Sequence, residues 1–237
     1  FEDYCDEFLW RPAMFWRWEP EFDRKIMGLR FFYEFTRTQQ SRYKFIPECI
    51  RPYLASSRQW LLSSHGEGCD TDEKKDVIIN QYYELLEILE EILKVQPFLF
   101  GNHPTLIDIG FMGPMFKHFS SDPTPRKVMQ QTAPHVYEWI GRLWNCNSKD
   151  LLDKQIPSKF PKNGTLPENW ERLLKLLPDY LEYYYLNAKA YDEKKPNFEW
   201  TFKGETCIVP VVPYRVWCRN ELIKKFEGCG GESRKEI

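Results

Sequence analysis

Apolar positions along the 237-residue chain recur mostly at three- and four-residue spacing, the period of helices with one buried face. The clearest run is 73–94. Ile78, Tyr82, Leu85, Leu86, Leu89, Ile92 and Leu93 form one apolar stripe, while Glu84, Glu87, Glu90, Glu91 and Lys94 line the other side. Gln96-Pro97 ends the run, because a residue before proline is pushed out of the helical region. Upstream, the pattern predicts helices over 2–18, 22–38 and 43–64. The first starts with Glu2, Asp3, Asp6 and Glu7, which suit the positive end of a helix dipole, and Pro12 should kink or break it. The second carries Phe22, Ile26, Leu29 and Tyr33 on one face; the third carries Ile50, Tyr53, Leu54, Trp60 and Leu61. His65 to Asp72 reads as a loop.

Further helices are expected at 105–119, near 125–131 and at 134–145, then a loop over 153–165. A helix over 167–192 should turn Trp170, Leu173, Leu174, Leu177 and Leu181 inward and bend at Pro178. At 197–212 the period changes. Phe198, Trp200 and Phe202 alternate with Glu199 and Thr201, Lys203-Gly204 offers a turn, and Thr206 to Val212 is apolar and β-branched. That is a β-hairpin. A last helix at 214–227 precedes a glycine-rich, charged tail. The fold class is mainly α, with an appended hairpin and a C-terminal helix.

Composition narrows the function classes. Apolar residues make up 42% of the chain, enough for a sizeable core, and the formal charge is −2, without the basic excess of a nucleic-acid binder. The longest apolar runs fall far short of the roughly 20 residues that cross a bilayer. The seven cysteines, Cys5, Cys49, Cys69, Cys146, Cys207, Cys218 and Cys229, include no C-x-x-C pair, so they read as reduced thiols of an intracellular, cytoplasmic protein. No metal site is expected, since the four histidines lie far from paired cysteines.

The most specific local segment is Phe98-Leu99-Phe100-Gly101-Asn102-His103-Pro104-Thr105-Leu106-Ile107-Asp108. Thr105 and Asp108 have capping-box spacing, in which each side chain satisfies a backbone N–H at the start of a helix. The segment resembles the start of the buried sixth helix of glutathione transferases, with Ile107 where that pattern usually has alanine. Gly113-Pro114 is similar to a bacterial-type subgroup; Pro114 lies inside the helix, and Gly110 and Gly113 should give its kink room. Ala133-Pro134-His135-Val136-Tyr137-Glu138-Trp139-Ile140 resembles a second motif of the family. Glu2 to Glu7 with Met14 to Trp18 looks like its fourth helix, and Tyr184 to Ala190, the hairpin and Pro213 to Cys218 look like the C-terminal extension of some large members.

The resemblance implies a glutathione-transferase C-terminal-like helical bundle over 1–165, with an extension over 166–237 packed on it. It also implies that glutathione would be held mainly by an N-terminal thioredoxin-like domain. No βαβ pattern occurs here, so that domain is expected to be absent from this chain and to be supplied by the chain's own upstream sequence or by a partner. The expectation is then no catalytic residue in this chain, no cofactor bound by it alone, and glutathione as co-substrate of a completed protein. A homodimer or larger assembly is possible; neither nucleic acid nor a membrane span is expected.

Tyr4, Phe8, Arg11 and Phe15 follow i, i+4, i+7, i+11 spacing on one helical face. By resemblance this face borders the pocket for the hydrophobic co-substrate, and aromatic walls with one cation suit apolar electrophiles and anionic conjugates. The simpler reading of the four is packing at a domain interface. Cys5, near a helix start, is a weak candidate thiolate because four acids surround it. His103, His118 and the Tyr183-Tyr184-Tyr185 run read as loop, cap and packing residues. Two functions remain: an enzyme that conjugates or reduces with glutathione, and a non-catalytic binding or structural subunit.

Overall fold

The computed structural model describes residues 1–36, 44–64, 70–147 and 170–229. A π-helical turn at Tyr4–Phe8 leads into α1 (Trp10–Trp18), followed by α2 (Glu21–Thr36), α3 (Arg51–Ser64), α4 (Asp72–Leu93) and α5 (Leu106–Pro114). A second π-helical turn, Met115–Phe119, precedes α6 (Pro123–Thr132) and α7 (Pro134–Trp144). The chain continues with α8 (Trp170–Leu174), α9 (Leu177–Asp192), β1 (Asn197–Phe202), β2 (Glu205–Pro210) and α10 (Pro213–Gly228). The mainly α architecture with one hairpin and a terminal helix is as expected from the spacing. Expected features at 37–38, the 65–69 part of the loop, Cys69, the 153–165 loop and the tail from 230 lie outside the described residues.

The amphipathic run becomes α4, and its apolar stripe is the centre of the core. Ile78, Tyr82, Leu89 and Ile92 have no exposed surface, and α1, α6, α7, α8 and β2 pack around the helix. Thr71 caps it, accepting from the Lys74 N–H at 3.4 Å. Pro12 acts as expected on the first helix: the backbone switches at Leu9, whose N–H bonds five residues back to Tyr4, and regular α geometry resumes beyond it. Pro114 likewise ends α5, and the chain widens into the π turn. Gly110 has a different task from the one expected. A methyl group there would lie 3.0 Å from the Cα of Glu2, so the glycine lets the N-terminal segment approach α5.

Three expectations are corrected. The helix predicted from 43 begins only at Arg51; residues 44–50 form turns, with Pro47 disfavouring helix before it and Pro52 fitting the first turn of α3. Ile50, Tyr53 and Leu54, expected to face inward, are 45%, 41% and 58% exposed, and the Leu61 side chain lies outside the described residues. In α2 the buried face is Asp23, Met27, Gly28, Phe32 and Thr36, while Phe22 and Tyr33 are exposed. Apolar residues sit on several sides of this helix, and a buried carboxylate decides which side packs: Asp23 accepts from the N–H of Thr124 at 2.8 Å and from its hydroxyl, holding the start of α6. The helix predicted over 167–192 is two helices, broken at 175–176 and restarted with Pro178 in its first turn. After the break the inward face rotates. Trp170 and Leu173 are buried, but Tyr180, Tyr183 and Tyr184 replace Leu174 and Leu181, both of which are exposed.

The hairpin forms as expected, turning at Lys203-Gly204, and its register sets Trp200 opposite Cys207 and Phe202 opposite Glu205. Lys203 and Gly204 both take positive φ, the conformation of the tight turn that matches strand twist. Phe198, Trp200 and Phe202 face inward, joined by Cys207 and Val209. Among the described residues no helix is long and apolar enough to cross a membrane.

Candidate functional site

The face expected to border a co-substrate is brought together. The π turn and α1 place Tyr4, Phe8 and Phe15 within one continuous apolar core, 1%, 6% and 4% exposed, with Arg11 buried beside them at 5%. Phe8 meets the rings of Tyr180, Tyr183, Trp200 and Phe202 edge-on at centroid distances of 5.8, 6.2, 5.7 and 5.8 Å. Tyr4 packs against Phe8 and Tyr180. The Arg11 guanidinium lies 5.1 Å from the Trp200 ring and 5.9 Å from that of Phe202, and its Nη2 donates to the Cys207 sulfur at 3.4 Å. Phe15, a turn further on, packs edge-on against Trp16. The occupants of the face over Tyr4, Phe8 and Arg11 are therefore α9 and the hairpin of the same chain.

Polar bonds tie the same elements together. The Asp3 carboxylate accepts from the Tyr184 hydroxyl at 2.8 Å and from that of Tyr180. Arg215 in α10 donates to the Tyr183 hydroxyl and to the Glu7 carbonyl, and its Nε lies 3.5 Å from the Glu7 carboxylate. Burial pushes the Tyr180 and Tyr184 phenols well above their ordinary range, so they act as neutral donors. Burial also raises the Glu7 carboxyl, against the opposing pull of Arg215. This is the chemistry of a joint between the two ends of the chain.

The other candidates can be placed. Cys5 is 1% exposed, and burial, helped by Asp6 and Glu2, pushes its thiol well above the ordinary value; its environment holds a protonated thiol rather than a nucleophile. His103 is half-buried in the turn before α5. His118 sits in the second π turn, its pKa lowered to about 4 by burial and by Arg17 and Lys117. Tyr183 and Tyr184 are buried and Tyr185 exposed. Among the described residues no group of histidine, cysteine and carboxylate side chains could hold a metal ion, and the described cysteines are free.

The capping box has become a tertiary hub. Both halves of the box are present, and Asp108 is fully buried. Its Oδ2 accepts from the Thr105 N–H at 2.8 Å and from the Thr105 hydroxyl at 2.9 Å. Its Oδ1 accepts from the Leu99 N–H at 2.9 Å and from the Trp139 indole at 3.0 Å. One carboxylate thus joins α5 to α7 and to the Phe98–Gly101 turn. A second buried polar site had no signal in the sequence: Arg17 grips both oxygens of Asp122, at 2.8 and 3.1 Å, and donates to the Lys117 carbonyl at 2.8 Å. The partners are 105 positions apart, and neither has a diagnostic neighbour.

Surface grooves lie elsewhere. Two, of about 420 and 600 Å³, flank the C-terminal end of α9, and one of about 410 Å³ lies beside α6 and α7; none of the three is lined by Tyr4, Phe8, Arg11 or Phe15. In comparisons with known proteins, residues 50–146 match the family model of the glutathione S-transferase C-terminal domain, a stretch that holds α3 to α7 and the capping box. Neither a curated protein nor a solved structure matches the chain.

Proposed function

We propose, for a chain that carries the C-terminal helical domain of the glutathione S-transferase family over residues 50–146, that the helical body serves as a binding or structural module rather than as the co-substrate half of a conjugation site. The observation that carries this reading is the position of Trp200 and Phe202. They lie against Phe8 and Arg11, where an apolar electrophile would have to sit. Expelling the two rings forfeits about 1.5–3 kcal/mol of burial each before any ligand binds. Asp3, Glu7 and Arg215 add polar bonds that an entering molecule would also have to break.

The same contacts support dividing the chain into a helical domain over 1–165 and an extension over 166–237 that covers it. The competing reading is a glutathione-conjugating enzyme in which a thioredoxin-like domain supplies thiol activation and this domain the apolar wall. The discriminating experiment is a conjugation assay of the 237-residue chain with glutathione and an aryl halide, alongside calorimetric titration with glutathione. The expected result is no turnover above the uncatalysed rate and no micromolar binding. The assay is then repeated with a thioredoxin-like domain supplied in trans. Conjugation that appears there and rises further in Trp200→Ala would show that the hairpin gates a working site, and the enzyme reading would win.

A further inference from the structure

We propose that the groove lined by α6, α7, the turn after α5 and Arg30 of α2 binds a planar aromatic carboxylate. This site is separate from the α1 face and does not depend on how that face is used. The groove encloses about 410 Å³, within the range of small-molecule sites. Two lining features call for opposite parts of one ligand.

The first feature is charge. Arg30 and Arg126 both line the groove and both are exposed, and among the described residues no acidic side chain lines it. Among the described residues Arg30 donates to the Met27 thioether, a weak acceptor, at 3.6 Å. Arg30 lies within electrostatic reach of the buried Asp122, but both oxygens of that carboxylate already accept from Arg17. The groove is therefore a locally cationic spot on a chain of formal charge −2. Guanidinium forks match the two oxygens of a carboxylate.

The second feature is a flat apolar platform. Phe116 and Trp144 stack with centroids 4.5 Å apart and planes 16° from parallel. Trp144 is nevertheless 64% exposed, unusual for tryptophan, and Tyr137 beside it is 37% exposed. A ring laid on this platform extends the stack, and its carboxylate then falls to the arginines. A neutral ring would gain only the stacking, and a small inorganic anion only the charge.

The test is calorimetric titration of the full chain with 2-naphthoate and, separately, with the neutral 2-naphthalenemethanol. Saturable 2-naphthoate binding is expected at about 0.1–1 mM, the weak range suited to an open groove, with the alcohol at least tenfold weaker. Arg30→Gln with Arg126→Gln should weaken 2-naphthoate tenfold or more and leave the alcohol unchanged. Trp144→Ala should weaken both. All three side chains are exposed, so thermal melts should show the variants folded. Absence of saturable 2-naphthoate binding to the wild-type chain overturns the proposal, as does binding that neither set of substitutions moves.

Discussion

Asp108 shows how much one residue can hold. It is fully buried and accepts four hydrogen bonds, from Thr105 twice, from Leu99 and from Trp139. An amide in its place keeps one acceptor and, on whichever side its NH2 falls, turns a donor toward at least one backbone or indole N–H. Asp108→Asn should therefore cost about 3 kcal/mol or more in urea unfolding at pH 7, because buried groups lose partners on both sides. Thr105→Ala removes one hydroxyl at the cap and should cost about 1 kcal/mol. If the two substitutions cost the same, the carboxylate is only a cap and the tertiary bonds carry no weight. His118 makes a separate prediction. Its pKa of about 4 lies below the ordinary 6.5, chiefly through burial and then through Arg17 and Lys117. The unfolded chain thus binds a proton near pH 6 that the folded chain refuses. The contribution is intact above pH 6.5 and is lost as the pH falls toward 4, by on the order of 2–3 kcal/mol. His118→Gln should flatten that limb, so the drop in melting temperature between pH 7 and pH 4.5 should be smaller in the variant than in the wild type.

At the scale of elements, close approach rather than helix propensity sets the α2–α3 pair. A methyl group on Gly28 would lie 2.3 Å from the Pro52 carbonyl oxygen, so the two backbones touch there. Gly28→Ala should force the helices apart and cost about 1–3 kcal/mol, although alanine is the better helix former. Gly141 in α7 is the control, since a methyl group there meets nothing within 4 Å. Gly141→Ala should be neutral or stabilising by up to about 1 kcal/mol. Equal effects of the two in denaturant melts would contradict the close packing of α2 on α3. The hairpin depends on its neighbours in the same way. Two strands alone are marginal in water, and this pair is held by the rings it buries against the first π turn and α9.

For the whole molecule, the chain's two ends stabilise each other. Phe8 contacts rings of both α9 and the hairpin, and Arg215 reaches back to Glu7. Trp200 is 1% exposed at the centre of this joint. Trp200→Ala should cost about 3–5 kcal/mol, as large-to-small changes in cores do. It should also increase binding of an apolar fluorescent dye, because Phe8 and Arg11 lose their cover. An unchanged unfolding midpoint with no gain in dye binding would mean that the hairpin rests on the body without stabilising it.

Local patterns sufficed where a feature depends on neighbours in sequence. The stripe of α4, the interruption of the first helix just before Pro12, the change of helical geometry after Pro114, the capping box and the alternation of Phe198, Trp200 and Phe202 are all written within a few residues, and the structure contains each of them. The face of Tyr4, Phe8, Arg11 and Phe15 is legible as a set, because i, i+4, i+7, i+11 spacing places the four together, and all four are buried. Its cover was not legible: Trp200 and Cys207 lie nearly two hundred positions away, and nothing local says where a hairpin will dock. For the same reason spacing points the inward faces of α2, α3 and α9 toward residues that the structure leaves exposed. Each has apolar residues on more than one side, so periodicity leaves the phase open. Tertiary partners chose it: Thr124 for Asp23, the Pro52 backbone for Gly28, and Asp3 for Tyr180 and Tyr184. The sequence by itself determined which segments are helical, because helix formation rests on short-range hydrogen-bonding and steric effects, but not every end: α3 starts at Arg51 rather than 43, and the run over 167–192 breaks at 175–176. Only the tertiary structure decided which faces are buried, because burying a side chain requires a partner that sequence spacing does not supply.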